Sequence, residues 1–419
     1  MRILLPTDAF PPVCGGSGWS TYELARGLRS RGHVVTIVQP RPGNARGIRE
    51  RIYDEFRVME YGTPAPPLPY VRTYFKNEKL YGDLADFLTG LIERERIEIV
   101  HGQHVMTSLP AVQAAHRSAI PAVCTVRDYW PVCYWADLIH TSDGMTLCPG
   151  CSASMMTRCV RPHAHALWPL TLPMIPYMRA NLARKQRGIG RADAIVAVSS
   201  TIASDLRARS PELAAARMEI IPNAVNVETL RNAAQACAAP MTGPYALYLG
   251  KLAPNKGTTH LVRIVERANL DWPLVVAGDG PERPVIEEDA SRAGRDIRFV
   301  GWVDQRAATA WLAHASLLVF PSRGPESLSR VLIEASALGV PIAAMRTGGT
   351  PDIIVDERTG LLSDTPERLA DDIRRLRHDE PLRARLGADA RARAAVKFDT
   401  SVVVPRIERL YLDLMEKRR

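Results

Sequence analysis

Residues 320–354 read FPSRGPESLSRVLIEASALGVPIAAMRTGGTPDII, and this stretch decides the fold. Just ahead of it, Leu317, Leu318, Val319 and Phe320 form a short apolar run that Pro321 and Gly324 stop, as a strand would end. Leu328, Val331, Leu332, Ala335 and Leu338 then recur at helical spacing, and Gly339 with Pro341 supplies the usual closing chemistry. Ile342 to Met345 opens the next strand. Strand, helix and strand in this order make a βαβ crossover, which aims a helix N-terminus with unpaired N–H groups at the carboxyl edge of a parallel sheet. An anion is expected there. With the helix starting after Pro325, Glu326 lies at its N-terminus and Glu334 about 12 Å further along, given 1.5 Å of rise per residue. Taken alone, both are also ordinary helix glutamates, the first favoured by the dipole.

Working outward, Tyr245 to Leu249 is predicted as a strand that runs into the Gly-bounded turn GKLAPNKG, with Gly250, Lys251 and Lys256. Two cations in such a turn can clamp a diphosphate. Leu274 to Ala277 followed by GDGPER is another strand ending in a glycine turn, which puts Asp279 and Gly280 at the edge where doubly wound sheets bind ligands. Ile297 to Gly301 repeats the arrangement. The first half opens with the strand Arg2 to Leu5, the loop CGGSGWS containing Gly15 and Gly16, a helix Thr21–Ser30 and a strand Val34–Val38. Further strands are expected at Ile97 to Val100, Ala122 to Val126 and Ala194 to Val198.

The Glu326-x7-Glu334 spacing, the order of these turns, and Gly348-Gly349-x-Pro351-Asp352 resemble retaining glycosyltransferases of GT-B type, specifically family 4 (glycosyl transferases group 1). The resemblance implies an α/β fold of two doubly wound Rossmann-like domains facing across a cleft, and transfer of a sugar from a nucleoside diphosphate. It gives Glu326 contact with the donor sugar and Glu334 contact with the ribose hydroxyls. The backbone of Ser327, Leu328 and Ser329 comes to lie near the diphosphate, with Gly15 and Gly16 approaching the donor phosphate. It also implies an acceptor-binding domain over 1–222, a nucleotide-sugar domain over 223–400, and a last helix in 401–419 that crosses back to the first domain. Two departures stand out. Lys251 replaces the family's Arg and loses the bidentate fork. Arg127, in TVRDYWPVCYW, stands where the family has a His, so a role in selecting an anionic sugar or acceptor is expected of it, with a salt bridge to Asp128 as the plainer use. His101 and His104, in HGQH after a strand, are further candidates for the site.

The resemblance leaves two alternatives, a sugar-nucleotide epimerase and a degenerate binder of nucleotide sugars, separable by whether turnover needs an acceptor. Seven cysteines and no signal peptide fit a reduced, cytoplasmic compartment. Cys133, Cys148, Cys151 and Cys159 cluster around a C-x2-C knuckle, which suggests a structural zinc site as readily as packed thiols. No redox cofactor is expected. Up to residue 222 there are 26 Lys and Arg against 19 Asp and Glu, whereas the remainder is nearly balanced. A glycan or lipid-linked acceptor of anionic character, or an anionic membrane surface, fits that distribution. The segment 164–191 combines apolar residues with Arg179, Arg184, Lys185, Arg187 and Arg191 and reads as interfacial or as a buried linking helix. Pro169, Pro173 and Pro176 keep it from spanning a bilayer. No nucleic-acid module is present.

Overall fold

The computed structural model describes residues 1–43, 46–68, 71–139, 147–164, 166 and 168–418. It divides into two compact units. One comprises Met1–Ala136, Pro173–Ala224 and Thr400–Arg419, the other Asp137–Leu172 and Val225–Asp399.

The first unit is built on β1 (Arg2–Pro6), β2 (Val34–Gly43), β3 (Gly47–Tyr53), β4 (Phe56–Pro64), β5 (Ile99–Gly102), β6 (Ala122–Val126), β7 (Ala194–Ala197) and β8 (Met218–Ile220). Their order in the sheet is β3-β4-β2-β1-β5-β6-β7-β8. Every pairing is parallel except β3 with β4 at one edge. β1 pairs on both sides, Ile3 with Val35 and with Ile99, and its Ile3, Leu4 and Leu5 are fully buried. Such a continuous apolar run is what a strand covered on both faces requires. The helix Thr400–Glu416 returns to this unit, where Val403, Val404, Ile407, Leu410 and Tyr411 join the core made by Leu24, Ala25 and Leu28 of the helix Gly16–Ser30.

The second unit carries β9 (Ala246–Leu249), β10 (Leu274–Ala277), β11 (Ile297–Gly301), β12 (Leu317–Phe320), β13 (Ile342–Met345) and β14 (Leu361–Ser363), in the order β11-β10-β9-β12-β13-β14 and all parallel. The order reverses between β9 and β12. Doubly wound sheets bind ligands at such a switch point, outside the carboxyl ends of the strands.

Three readings need correction at this level. The helix expected after Pro325 begins only at Arg330, with Ser329 in extended backbone at φ −68° and ψ 120°. Glu326 therefore sits in the loop, because its carbonyl accepts from Gly349 N–H and its carboxylate is held by side chains, leaving no helical partner. The CGGSGWS loop is largely helix, since Gly15 is the N-cap and Gly16 the first helical residue. Gly15, at φ −82°, needs no glycine for its conformation and has open space over it. Gly18 is the crowded position, where an added Cβ would lie 2.6 Å from Cys14 Sγ.

Finally, the zinc site expected of the four cysteines finds no support in the structure. Cys133 belongs to the first unit, whereas Cys148, Cys151 and Cys159 belong to the second. Cys148 and Cys159 direct their thiols to the carbonyls of Gly150 and Met156. Among the described residues no group of three or more His, Cys, Asp or Glu is arranged to hold a metal ion. Nor is any described helix long and apolar enough to cross a membrane. In the helix Ile175–Gly190, Ile175, Met178, Leu182 and Ile189 are buried, so its apolar stripe faces the protein.

Candidate functional site

The residues of the second unit converge at the carboxyl ends of β9 and β12. β9 delivers Gly250, whose N–H donates to Ala277 O, and the exposed Lys251. The next turn presents Lys256. β12 leads into Pro321–Ser329, where Glu326 is 8% exposed and accepts from Lys256 Nζ at 2.5 Å and from Ser322 Oγ at 2.5 Å. A nearly buried carboxylate needs this much compensation. Lys256 keeps about a third of its side chain exposed, which leaves the ammonium open to a ligand on the other side.

Backbone contacts fix these two loops. Asn255 O accepts from both Arg323 N and Gly324 N, and Thr347 Oγ1 donates to Gly324 O. Gly348, at φ 48°, lies against Glu326 so closely that a Cβ there would be 2.0 Å from Glu326 O. Only glycine fits that backbone and that approach. Glu334, within the helix Arg330–Leu338, is 6% exposed and accepts from Arg330 Nε at 2.7 Å. Leu328 is buried and Ser327 and Ser329 half-buried. The Ser329 side chain makes no cap to the helix it precedes, so the first N–H groups of that helix lack an intrahelical partner. Asp279 accepts from Gly280 N at 2.7 Å and faces Arg283 at 3.3 Å, which ties down the turn after β10.

The first unit gathers a different cluster. His104 Nδ1 lies 3.1 Å from Asp8 Oδ2 and its Nε2 lies 3.1 Å from Asp128 Oδ2. Burial opposes the charge on this ring, but Asp128 and Asp8 outweigh it and lift the imidazole to about 10. Asp8 also accepts from Met106 N and Thr107 Oγ1, at the start of the helix Val105–Arg117. His101 is placed otherwise. It is fully buried between Tyr411 OH and Thr125 Oγ1, both at 2.6 Å, and burial followed by the Arg127 charge pushes it well below the ordinary histidine range.

Arg127 turns inward. It is 8% exposed and donates to Asn223 Oδ1, to Gln103 O and to Gln103 Oε1 at 2.7–3.0 Å. These hydrogen bonds go to neutral acceptors; the Asp128 carboxylate lies against His104 instead. Its guanidinium is thereby committed to the loop that carries His104. Sequence reasoning missed Asp8, Gln103 and Ser322. An acid at the carboxyl end of β1 was the one available signal for Asp8.

A family model described as Glycosyltransferase Family 4 matches residues 14–229, and one described as Glycosyl transferases group 1 matches residues 231–393. Among curated relatives, the phosphatidyl-myo-inositol mannosyltransferase of Mycobacterium leprae (strain TN) is 34% identical over 200 residues, which are 46% of this chain and 52% of that protein. The match thus spans about half of that relative. The D-inositol 3-phosphate glycosyltransferase of Xylanimonas cellulosilytica is 27% identical over 404 residues, 90% of this chain and 87% of that protein. Among solved structures, Anabaena Alr3699/HepE in complex with UDP-glucose has a TM-score of 0.66 at 17% identity, covering 99% of this chain and 100% of that one. WaaG, a glycosyltransferase involved in lipopolysaccharide biosynthesis, has a TM-score of 0.63 at 16% identity, covering 98% and 99%. At these identities the likeness is one of fold, and the fold is GT-B.

Proposed function

The chain belongs to glycosyltransferase family 4, and from that membership we propose that it moves a sugar from a nucleoside diphosphate to a glycan or lipid-linked acceptor with retention of configuration. The observation that carries this reading is the nearly buried Glu326 carboxylate held by Lys256 and Ser322 at the switch point of the second sheet.

In this reading Lys256 and Lys251 face the diphosphate, joined by the backbone of Ser327, Leu328 and Ser329 ahead of the helix Arg330–Leu338. Fixed donors aimed at a leaving group are worth most where water is excluded. Glu326 accepts hydrogen bonds from the donor sugar, Glu334 from the ribose, and the turns at Gly250, Asp279 and Gly280 border the base. Gly15 and Gly16, at the start of the helix Gly16–Ser30, are assigned to the donor phosphate from the family resemblance. His104 has both ring nitrogens engaged by carboxylates and stays charged, so it serves as a fixed cation and not as a proton acceptor. The departing phosphate then takes the acceptor's proton in a same-face displacement. Arg127 acts as a positioning residue, holding Gln103 beside His104.

Two of the similar proteins bear on the substrates. One was solved in complex with UDP-glucose and one is a mannosyltransferase named for phosphatidyl-myo-inositol, which supports a nucleotide-sugar donor and a lipid-borne or polyol acceptor. An anionic membrane surface suits the positive balance of residues 1–222.

The test is a thermal-shift and nucleotide-release screen of UDP-, GDP-, ADP- and dTDP-sugars, with Glu326→Ala and Lys256→Ala in parallel. One donor should stabilise the chain selectively and be hydrolysed slowly, and both effects should vanish in the two variants. Stabilisation without turnover, persisting across an acceptor screen, would instead indicate a binder. Conversion of the donor's sugar without an acceptor would indicate an epimerase.

A further inference from the structure

A second cationic cavity lies in the same unit, outside the residues assigned above. Its volume is about 250 Å³, and His260, Arg263, Arg267, Arg323 and Glu367 line it together with apolar side chains. Neither Lys251, Lys256, Glu326 nor Gly280 contributes to its wall.

The charges are arranged at some cost. Arg263 and Arg267 are four apart on the helix Leu261–Ala268 and so share one face. Like charges at that spacing oppose helix formation. Arg323 adds a third guanidinium from the loop after β12, with its Nη1 2.8 Å from His260 Nε2. An Arg N–H can only donate, so His260 accepts there and is uncharged at that nitrogen. Burial, then Arg323 and Arg263, hold this imidazole below its ordinary range. Against three guanidinium groups the cavity wall offers one carboxylate, Glu367, in the first turn of the helix Pro366–His378.

The loop that carries Arg323 is tied down. Arg323 N and Gly324 N both donate to Asn255 O, and Gly257, at φ 66°, would carry a Cβ 2.0 Å from Pro321 O. The exposed Arg263 and Arg267 are presented from a helix, and the partly buried Arg323 from a stitched loop. At about 30 Å³ per water, the cavity holds roughly eight waters, a volume suited to a sugar phosphate or smaller.

We propose that this cavity is a binding site for a small phosphate-bearing molecule, in which Arg263, Arg267 and Arg323 receive the phosphate and Glu367 accepts from a hydroxyl on the remainder. Planar guanidinium forks match phosphate oxygens in pairs, and three of them facing one cavity supply the charge that a dianion needs.

The test is calorimetric titration of the full chain, in phosphate-free buffer of low ionic strength, with inorganic phosphate and separately with glucose 1-phosphate. The same titrations are run on Arg263→Ala/Arg267→Ala, on the milder Arg263→Gln/Arg267→Gln, and on Lys251→Ala/Lys256→Ala. The nucleoside diphosphate identified by the donor screen is titrated into each as a separate readout. Saturable binding of either probe, weakened at least tenfold in both arginine pairs and retained in the lysine pair, is expected, with nucleotide binding intact in the arginine pairs. Equal affinity for the two probes would name free phosphate as the ligand, and tighter binding of glucose 1-phosphate would name a phosphate ester. Absence of binding by the wild-type chain, equal affinity in the glutamine pair, or loss confined to the lysine pair would overturn the proposal. Failure of nucleotide binding alone would strike the donor assignment and leave this cavity standing.

Discussion

At the scale of single residues, two cations held by carboxylates, Lys256 and His104, give the sharpest predictions. Lys256 is the basic partner of the nearly buried Glu326 carboxylate, with Ser322 as its neutral one. Lys256→Ala leaves that charge half satisfied, which costs about 1–3 kcal/mol when a buried group loses a partner, and it removes a donor facing the diphosphate. We expect donor turnover to fall about 10²–10³-fold, while Glu326→Gln keeps the thermal midpoint within a few degrees and loses turnover comparably. Single-turnover release of nucleoside diphosphate, read beside a melting curve, separates the two effects. His104 gives a prediction of opposite electrostatic sign. Its folded value, about 10, lies above the ordinary 6.5. The protonated ring between Asp8 and Asp128 therefore stabilises the first unit fully below about pH 6.5, and that contribution fades as pH rises through about 10. Urea midpoints between pH 6 and 10 should decline in the wild type and flatten in His104→Gln. A flat wild-type profile would mean that folding does not raise the ring's pKa.

At the scale of elements, the close approach of two loops sets where Glu326 sits. Gly348→Ala puts a Cβ 2.0 Å from Glu326 O on a backbone at φ 48°, so the 324–329 loop must move. The expected result is loss of donor binding by tenfold or more with the sheet intact, checked by nucleotide titration and far-ultraviolet circular dichroism. Unchanged binding would show that the loop has room to yield. The same loop marks where sequence reading stopped. The strands β9, β10 and β12 were legible because each is a short apolar run closed by Gly or Pro, and the chemistry-bearing residues were legible because they follow those runs. The late helix start was not. Pro325, Glu326 and Ser327 are compatible with a first helical turn, and what prevents one is the Gly349 N–H, 23 residues away, bonding to Glu326 O. The antiparallel β3–β4 pair escaped notice because Arg49, Glu50 and Arg51 alternate with little apolar signal, and its register is set by β2 through Ile37–Val58. Arg127 was misread for a related reason. Its type suggested an open anion site, but the decision rests with Gln103 and Asn223, whose partners no local pattern announces. The C-x2-C spacing suggested a metal knuckle, but spacing alone does not say whether thiols meet, and no group of three or more His, Cys, Asp or Glu among the described residues is arranged to hold a metal ion.

At the scale of the whole molecule, the chain leaves the first unit and then returns to complete it. The helix Thr400–Glu416 supplies Val403, Val404, Ile407, Leu410 and Leu414, each no more than 5% exposed, to the core of that unit. Burial of five such aliphatic side chains contributes on the order of 10 kcal/mol, at about 1.5–3 kcal/mol each. A domain's entire net stability is about 5–15 kcal/mol. The helix also carries Tyr411, whose hydroxyl is 2.6 Å from His101 Nδ1 beneath the loop of Gln103 and His104. A chain ending at Asp399 should therefore leave the first unit unfolded at any temperature. The second unit owes none of its core to this helix, and its melting transition and phosphate-binding cavity should persist. Scanning calorimetry would show one transition surviving of those present in the full chain. The finer variant Tyr411→Phe keeps the packing and removes one partner of a buried ring nitrogen, for an expected loss of about 1–3 kcal/mol confined to the first unit. If truncation instead left both units cooperative, the returning helix would be an accessory to a core that folds without it, and the placement of His104 would have to be secured by the β1–β5 pairing and Asp8 alone.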